Sequence, residues 1–211
     1  NRDPSQATAV NYSSRGPTDD GRIKPDIHAN GTGLISSISS SDTATASYSG
    51  TSMSSPNACG SAALLIDYYT SRFPAQAMRA STLKALILHT ADDRGVTGPD
   101  YKYGWGIMNT QAAADVIKQH ADNNGGSCMI ESVVNNTTTP SRTHTFAWNG
   151  TSALRVTLCW TDPPGTEKSG HDSREKALVN DLNLTVTGPG ATIYRPYVMP
   201  YAGDWTNAKF E

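Results

Sequence analysis

Seven residues, Gly50 to Pro56 (GTSMSSP), run directly into a long stretch of small and apolar side chains, and this junction constrains the chain more than any other segment. A hydroxyl between a small turn residue and an apolar run that opens with proline predicts a serine at a helix N-terminus. The helix's unpaired N–H groups and positive dipole end would then lie beside the Ser52 oxygen, where negative charge on an attacked carbonyl is stabilised. Pro56 suits a first turn, where its missing N–H costs nothing. The run behind it includes Ala58, Cys59, Gly60, Ala62, Ala63, Leu64, Leu65 and Ile66 ahead of the first acid, Asp67. A run apolar almost all round predicts a helix in the middle of a domain, with Cys59 as a buried small hydrophobe.

GTSMSSP resembles the nucleophile motif of the subtilisin-like serine proteases, in which the serine after Gly-Thr attacks the peptide carbonyl. Ser52 is the matching position; the family usually carries alanine where this chain has Ser54. Upstream, SSRGPTDDGRIKPDI (Ser13 to Ile27) is rich in Gly, Pro and Asp and predicts turns leading into an extended segment. It resembles the segment before the nucleophile in one branch of that family, and Arg15, Lys24 and Asp26 are expected to form ion pairs within it. Downstream, YGWGIMNTQAAADVI (Tyr103 to Ile117) is a Gly-rich turn before an Ala-rich helix, similar to the turn, Asn and final helix that close the family's catalytic domain. These matches, in the same order, cover roughly Ser13 to His120. The resemblance implies an α/β fold, with residues 1–122 forming the C-terminal part of a subtilisin-like catalytic domain that acts on protein or peptide substrates.

Local patterns fill in the rest. Ala7 to Tyr12 and Gly31 to Ile38 predict short strands, and Ser39 to Ser47 a polar loop. After Pro74, Ser81 or Thr82 predicts the N-cap of a helix through Leu83, Leu86, Ile87 and His89. The composition changes after His120, where Ala121 to Ser127 (ADNNGGS) predicts a domain boundary. Beyond it, Thr143 to Trp148, Leu154 to Trp160 and Leu182 to Thr187 alternate or are dense in β-branched residues. Turns at Asn149-Gly150, Pro163-Pro164-Gly165 and Gly188-Pro189-Gly190 separate them, which predicts a β-sandwich over residues 123–211. LRVTLCWTDPPG and LVNDLNLTVTGPG resemble the jelly-roll-like β-domain that follows the catalytic domain in an exported branch of the same family. Its strands are too few for a closed sandwich of about eight, so this domain reads as truncated.

Composition narrows the partners. A formal charge of −2 and a sequence pI near 6.2 provide no basic field for nucleic acid or an anionic membrane. No apolar run approaches the roughly 20 residues needed to span a bilayer. Three cysteines, Cys59, Cys128 and Cys159, are too few for a disulfide framework and lack metal spacing; Cys128 and Cys159 either pair or remain two free thiols. Six N-x-S/T sequons, at Asn11, Asn30, Asn135, Asn136, Asn149 and Asn183, suit a secreted protein, as does the resemblance.

A serine needs a base, normally an imidazole oriented by a carboxylate. In the resembling family both precede the serine, in Asp-Thr/Ser-Gly and His-Gly-Thr-His motifs, and neither string occurs in this chain. His28 lies in DIHANGTG, a segment that by resemblance follows the family's histidine, and is expected to be structural. His89, His120, His144 and His171 follow the serine and fit no part of the family's order. The Ser52 backbone N–H is the one oxyanion donor assignable here. The chain thus reads as a nucleophile-bearing fragment, inactive alone, whose partner is the missing N-terminal part of the catalytic domain. Two alternatives stand beside it: a non-catalytic scaffold or binding protein, and one chain of a processed two-chain protease. The chemistry requires no cofactor. The resembling β-domain binds calcium around acids matching Asp162 and Asp181, with Asp172 and Asn183 as further ligands; the other reading makes Asp162 a turn residue and Asp181 a cap.

Overall fold

The computed structural model describes residues 3–123, 128–135, 140–151, 153–170, 173 and 175–199. A hairpin of β1 (Leu34–Ser37) and β2 (Thr45–Tyr48) pairs Leu34 with Tyr48 and Ser37 with Thr45 in antiparallel register. The second strand falls in the segment expected as a loop; its Thr45, Ala46 and Tyr48 alternate well enough to complete a ladder once the turn brings them opposite β1. The hairpin leads straight into α1 (Thr51–Arg72), followed by α2 (Ala80–His89) and α3 (Thr110–Asp122).

The three helices share one core. Leu65 and Tyr69 of α1, Leu86 of α2, Met108, and Ala113 and Ile117 of α3 are all buried together. Tyr69 and Phe73 lie 4.8 Å apart between ring centroids, and Phe73 continues to His120 at 5.5 Å. The expectation for α1 is corrected in one respect: only Leu65 and Tyr69 are buried, while Leu64 is 66% exposed, Ile66 43% exposed and Cys59 also exposed. Both partner helices cover one face of α1, leaving the other apolar face open.

One starting point also moves. Helix α2 begins at Ala80 with Arg79 as an uncapped N-cap, and Thr82 turns its hydroxyl to Glu131 instead. Helix α3 begins where expected, with Asn109 Oδ1 accepting the Ala112 N–H at 2.9 Å.

Ile107 holds the upstream loop to the helices. Its N–H and C=O both bond Asp92 at 2.9 Å, while His28 and the chain around Ile107 form a parallel bridge through Gly106 O and the Met108 N–H. Gly104 makes this approach possible: at φ 62° a Cβ there would lie 2.1 Å from Pro25 O. Within the loop, Lys24 pairs with Asp26 as expected, and Lys84 of α2 approaches the same carboxylate at 3.8 Å. Ala7 to Tyr12 forms no strand. Its contacts are side-chain anchors, Arg94 Nε to Ala7 O at 3.0 Å and the Ala9 N–H to Tyr103 Oη at 3.3 Å, in place of a ladder.

Past residue 123 the described residues contain one small sheet, β3 (Val186–Thr187) paired antiparallel with β4 (Ile193–Tyr194). Thr143 to Trp148 and Leu154 to Trp160 carry the alternation without strand pairing. In the latter, Thr157 and Cys159 are half-buried on the side of the helical body, while Leu154, Val156 and Leu158 on the other face are more exposed. The docking is polar. Arg155 donates to the His89 and Ala91 carbonyls at 2.7 and 3.4 Å, at the C-terminus of α2, where a cation is favoured. His89 Nδ1 lies 3.0 Å from Thr157 Oγ1, and Arg79 pairs with Glu131 at 2.9 Å. Cys59, Cys128 and Cys159 are all free thiols.

Candidate active site

Gly50 ends the hairpin and caps α1 with φ 156° and ψ 167°, a conformation side chains rarely adopt. Its carbonyl accepts both the Met53 and Ser54 N–H groups, at 3.1 and 3.2 Å. The first two helical N–H groups, those of Thr51 and Ser52, are therefore the orphan donors of this end. Ser52 is the second residue of the helix and is exposed. Among the described residues neither its hydroxyl nor its N–H has a hydrogen-bond partner. A free hydroxyl, an adjacent free N–H and the positive end of a 22-residue helix thus meet at one residue.

Because the helix starts at Thr51, Pro56 is its sixth residue and falls in the second turn, not the first. Its nitrogen cannot bond the carbonyl four residues back, which belongs to Ser52. The proline therefore frees the serine's own carbonyl from the helical ladder, a consequence legible in the four-residue spacing.

Ser54 is a positioning contact that motif matching passes over. Its hydroxyl donates to Ala29 O at 2.8 Å, and the Gly50 N–H donates to Gly31 O at 2.8 Å. Gly31 must be glycine here, since a Cβ would lie 2.7 Å from Gly50 O and 3.0 Å from Ser54 Cβ. The departure from alanine at 54 was the available signal.

His28 is structural, as expected. Its Nδ1 is 3.2 Å from Tyr103 O, its ring lies tilted against Tyr103 at 5.6 Å between centroids, and Nε2 is buried without a partner among the described residues. Desolvation lowers its pKa, against opposing pulls from Tyr103 O and Asp100. His89 holds Thr157, the His120 Nδ1 accepts the Met129 N–H at 3.4 Å, and His144 is exposed. No histidine or carboxylate is hydrogen-bonded to Ser52 among the described residues. His171 and Asp172 lie outside the described residues.

Asp162 and Asp181 do different work from each other. The Asp162 carboxylate accepts the Val179 N–H at 2.7 Å, the Asn180 N–H at 3.0 Å and Asn180 Nδ2 at 2.7 Å. Desolvation opposes its ionisation, yet these bonds together hold its pKa below the usual value. Asp181 pairs with Lys176 at 2.6 Å. No three acids, histidines or cysteines come together among the described residues.

The Subtilase family model matches residues 2–106. The chain is 26% identical over 203 residues to a serine protease/ABC transporter B family protein of Dictyostelium discoideum, covering 83% of this chain and 11% of the relative. It is 45% identical over 65 residues to an extracellular serine protease of Serratia marcescens, covering 31% of this chain and 6% of the relative. The chain therefore spans about a tenth or less of the length of these curated relatives. Among solved structures it is similar to a psychrophilic subtilisin-like protease from the Antarctic Pseudoalteromonas sp. AS-11, with 34% identity, 36% of this chain and 16% of that chain covered, and a TM-score of 0.30.

Proposed function

Over residues 2–106 the chain belongs to the subtilase family, and on that premise we propose that it is the nucleophile-bearing part of a secreted serine endopeptidase, hydrolysing peptide bonds by acyl transfer from Ser52. The observation that carries this reading is the state of Ser52: exposed, second in α1, with hydroxyl and N–H both unengaged among the described residues. In the reaction its oxygen attacks the scissile carbonyl while its N–H donates to the developing oxyanion. Water then releases the acyl group.

The base and orienting acid come from residues outside this chain, in the preceding part of the same protein. The open apolar surface supports a covering segment: Leu64 and Ile66 on α1, together with Ile35 at 74% exposure on the hairpin. Leu154, Val156 and Leu158, exposed in alternation, support a β-domain completed by further strands. The extracellular description of the Serratia marcescens relative supports export. No helix among the described residues is long and apolar enough to cross a membrane. The acyl-transfer chemistry itself calls on no metal.

The test is to treat the full-length protein with a fluorophosphonate probe, map the labelled peptide, and repeat with Ser52→Ala. Label on Ser52, lost in the variant, is expected. A folded full-length protein that never labels at Ser52 would replace this reading with that of a non-catalytic scaffold, and labelling only while a second polypeptide stays bound would make it a two-chain protease.

A further inference from the structure

The tripeptide Asn-Gly-Thr occurs twice, at Asn30-Gly31-Thr32 and at Asn149-Gly150-Thr151. Identical following residues give the two asparagines similar intrinsic chemistry, so a large difference between them is imposed by the fold. The fold treats them very differently.

At the first copy, Asn30 Oδ1 accepts one donor, the Thr32 N–H at 3.0 Å. The middle glycine is wedged: a Cβ on Gly31 would lie 2.7 Å from Gly50 O, and Gly31 O is held by the Gly50 N–H. At the second copy, all three residues are exposed in the turn between residues 143–148 and 154–160. Gly150 takes φ 76° with nothing within 4 Å of the space a Cβ would fill, so no neighbour wedges it. Two donors converge on Asn149 Oδ1, the Thr151 N–H at 3.0 Å and the Thr151 hydroxyl at 2.8 Å.

We propose that Asn149 is a self-modifying site, at which the fold promotes conversion of this asparagine to aspartate and isoaspartate through a cyclic imide, while it protects the identical sequence at Asn30. The Gly150 nitrogen attacks Asn149 Cγ, forming an N–C bond. As the tetrahedral centre develops, negative charge gathers on Oδ1, where the two Thr151 donors already point; they act as an oxyanion hole within a single turn. The Cγ–Nδ2 bond breaks and ammonia leaves, carrying the proton lost by the Gly150 N–H. Water then opens the imide at either carbonyl, giving aspartate or isoaspartate with no oxidant or reductant. The product gains one negative charge, and the isoaspartyl form lengthens the backbone just before the segment that Arg155 and Thr157 dock onto α2.

The experiment is to incubate the purified chain at mildly alkaline pH and follow the two Asn-Gly-Thr peptides by mass spectrometry, folded and in urea. Asn149 should convert at least about tenfold faster than Asn30 in the folded chain, and the two should converge in urea, where the fold's positioning is lost. Thr151→Val, which keeps shape and the N–H but removes the hydroxyl, should slow Asn149 severalfold, with Asn30 in the same sample reporting that the fold is intact. Equal folded rates, or a Thr151→Val rate at Asn149 unchanged while Asn30 stays protected, would overturn the proposal.

Discussion

Ser54 donates its hydroxyl to the Ala29 carbonyl over 2.8 Å, so the strand-like segment through His28 and the turn that presents Ser52 move as one unit. The Gly50 N–H to Gly31 O bond closes the other side of the same contact. Ser54→Ala leaves a half-buried carbonyl unpaired and should cost about 1 kcal/mol, read as a lower urea midpoint. Gly31→Ala should cost more, about 1–3 kcal/mol, because its Cβ must displace Gly50 O or Ser54. It should also slow fluorophosphonate labelling in the full-length protein. A Gly31→Ala protein with wild-type midpoint and labelling rate would show that the two segments are not coupled.

The open face of α1 makes a paired prediction. Ile117 is fully buried, and Ile117→Ala should cost about 2–5 kcal/mol in this chain. Leu64 is 66% exposed, and Leu64→Ala should stay within about 0.5 kcal/mol. In the full-length protein the second value should rise into the core range if a preceding segment covers α1. Denaturation of both variants in both lengths measures this, and a Leu64→Ala cost that stays negligible in the longer protein argues against that cover.

How much of this was readable from residues varies with the distance over which each feature is determined. The helix at Ser52 is set by neighbours a few residues away and lies where the sequence places it. The burial of α1 was misread because an all-round apolar pattern reports what a helix is built to contact, and not what is present to contact it. Strands suffered most for the same reason: Ala7–Tyr12 and Leu154–Trp160 carry strand patterning, but a ladder needs a partner, and none pairs with them among the described residues. Cys59 and the calcium reading depend on such long-range neighbours too. The Ser54 to Ala29 bond spans 25 positions and could not be seen locally.

Asp162 ties the chain at Val179 and Asn180 through three hydrogen bonds. Asp162→Ala should loosen this contact locally, most visible as faster amide exchange at Val179 and Asn180. Adding or chelating calcium should leave the thermal midpoint of the chain unchanged. A calcium-dependent rise that disappears in both Asp162→Ala and Asp181→Ala would establish calcium binding at these acids.

Acid should loosen the docking of the later residues before it unfolds the helices. His28, His89 and His120 all have pKa values below the ordinary imidazole value, in each case chiefly through desolvation; Arg155 adds repulsion at His89, while Glu131 pulls the other way at His120. Two of them are anchors, His120 accepting the Met129 N–H and His89 meeting Thr157. When the folded pKa lies below the unfolded one, the unfolded chain binds more protons as pH falls. The stability these groups contribute is therefore intact above the unfolded value of about 6.5 and is lost as pH drops through it toward the lower folded values. The lowered carboxylates Asp20, Asp122 and Asp162 act in a separate window, below about pH 4. Urea midpoints should thus decline between about pH 7 and pH 5, with amide exchange at Met129 and at residues 155–157 accelerating first, and His89→Gln with His120→Gln should flatten that decline. A midpoint that stays level across this range in the unmodified chain would mean that neither histidine gates the contact.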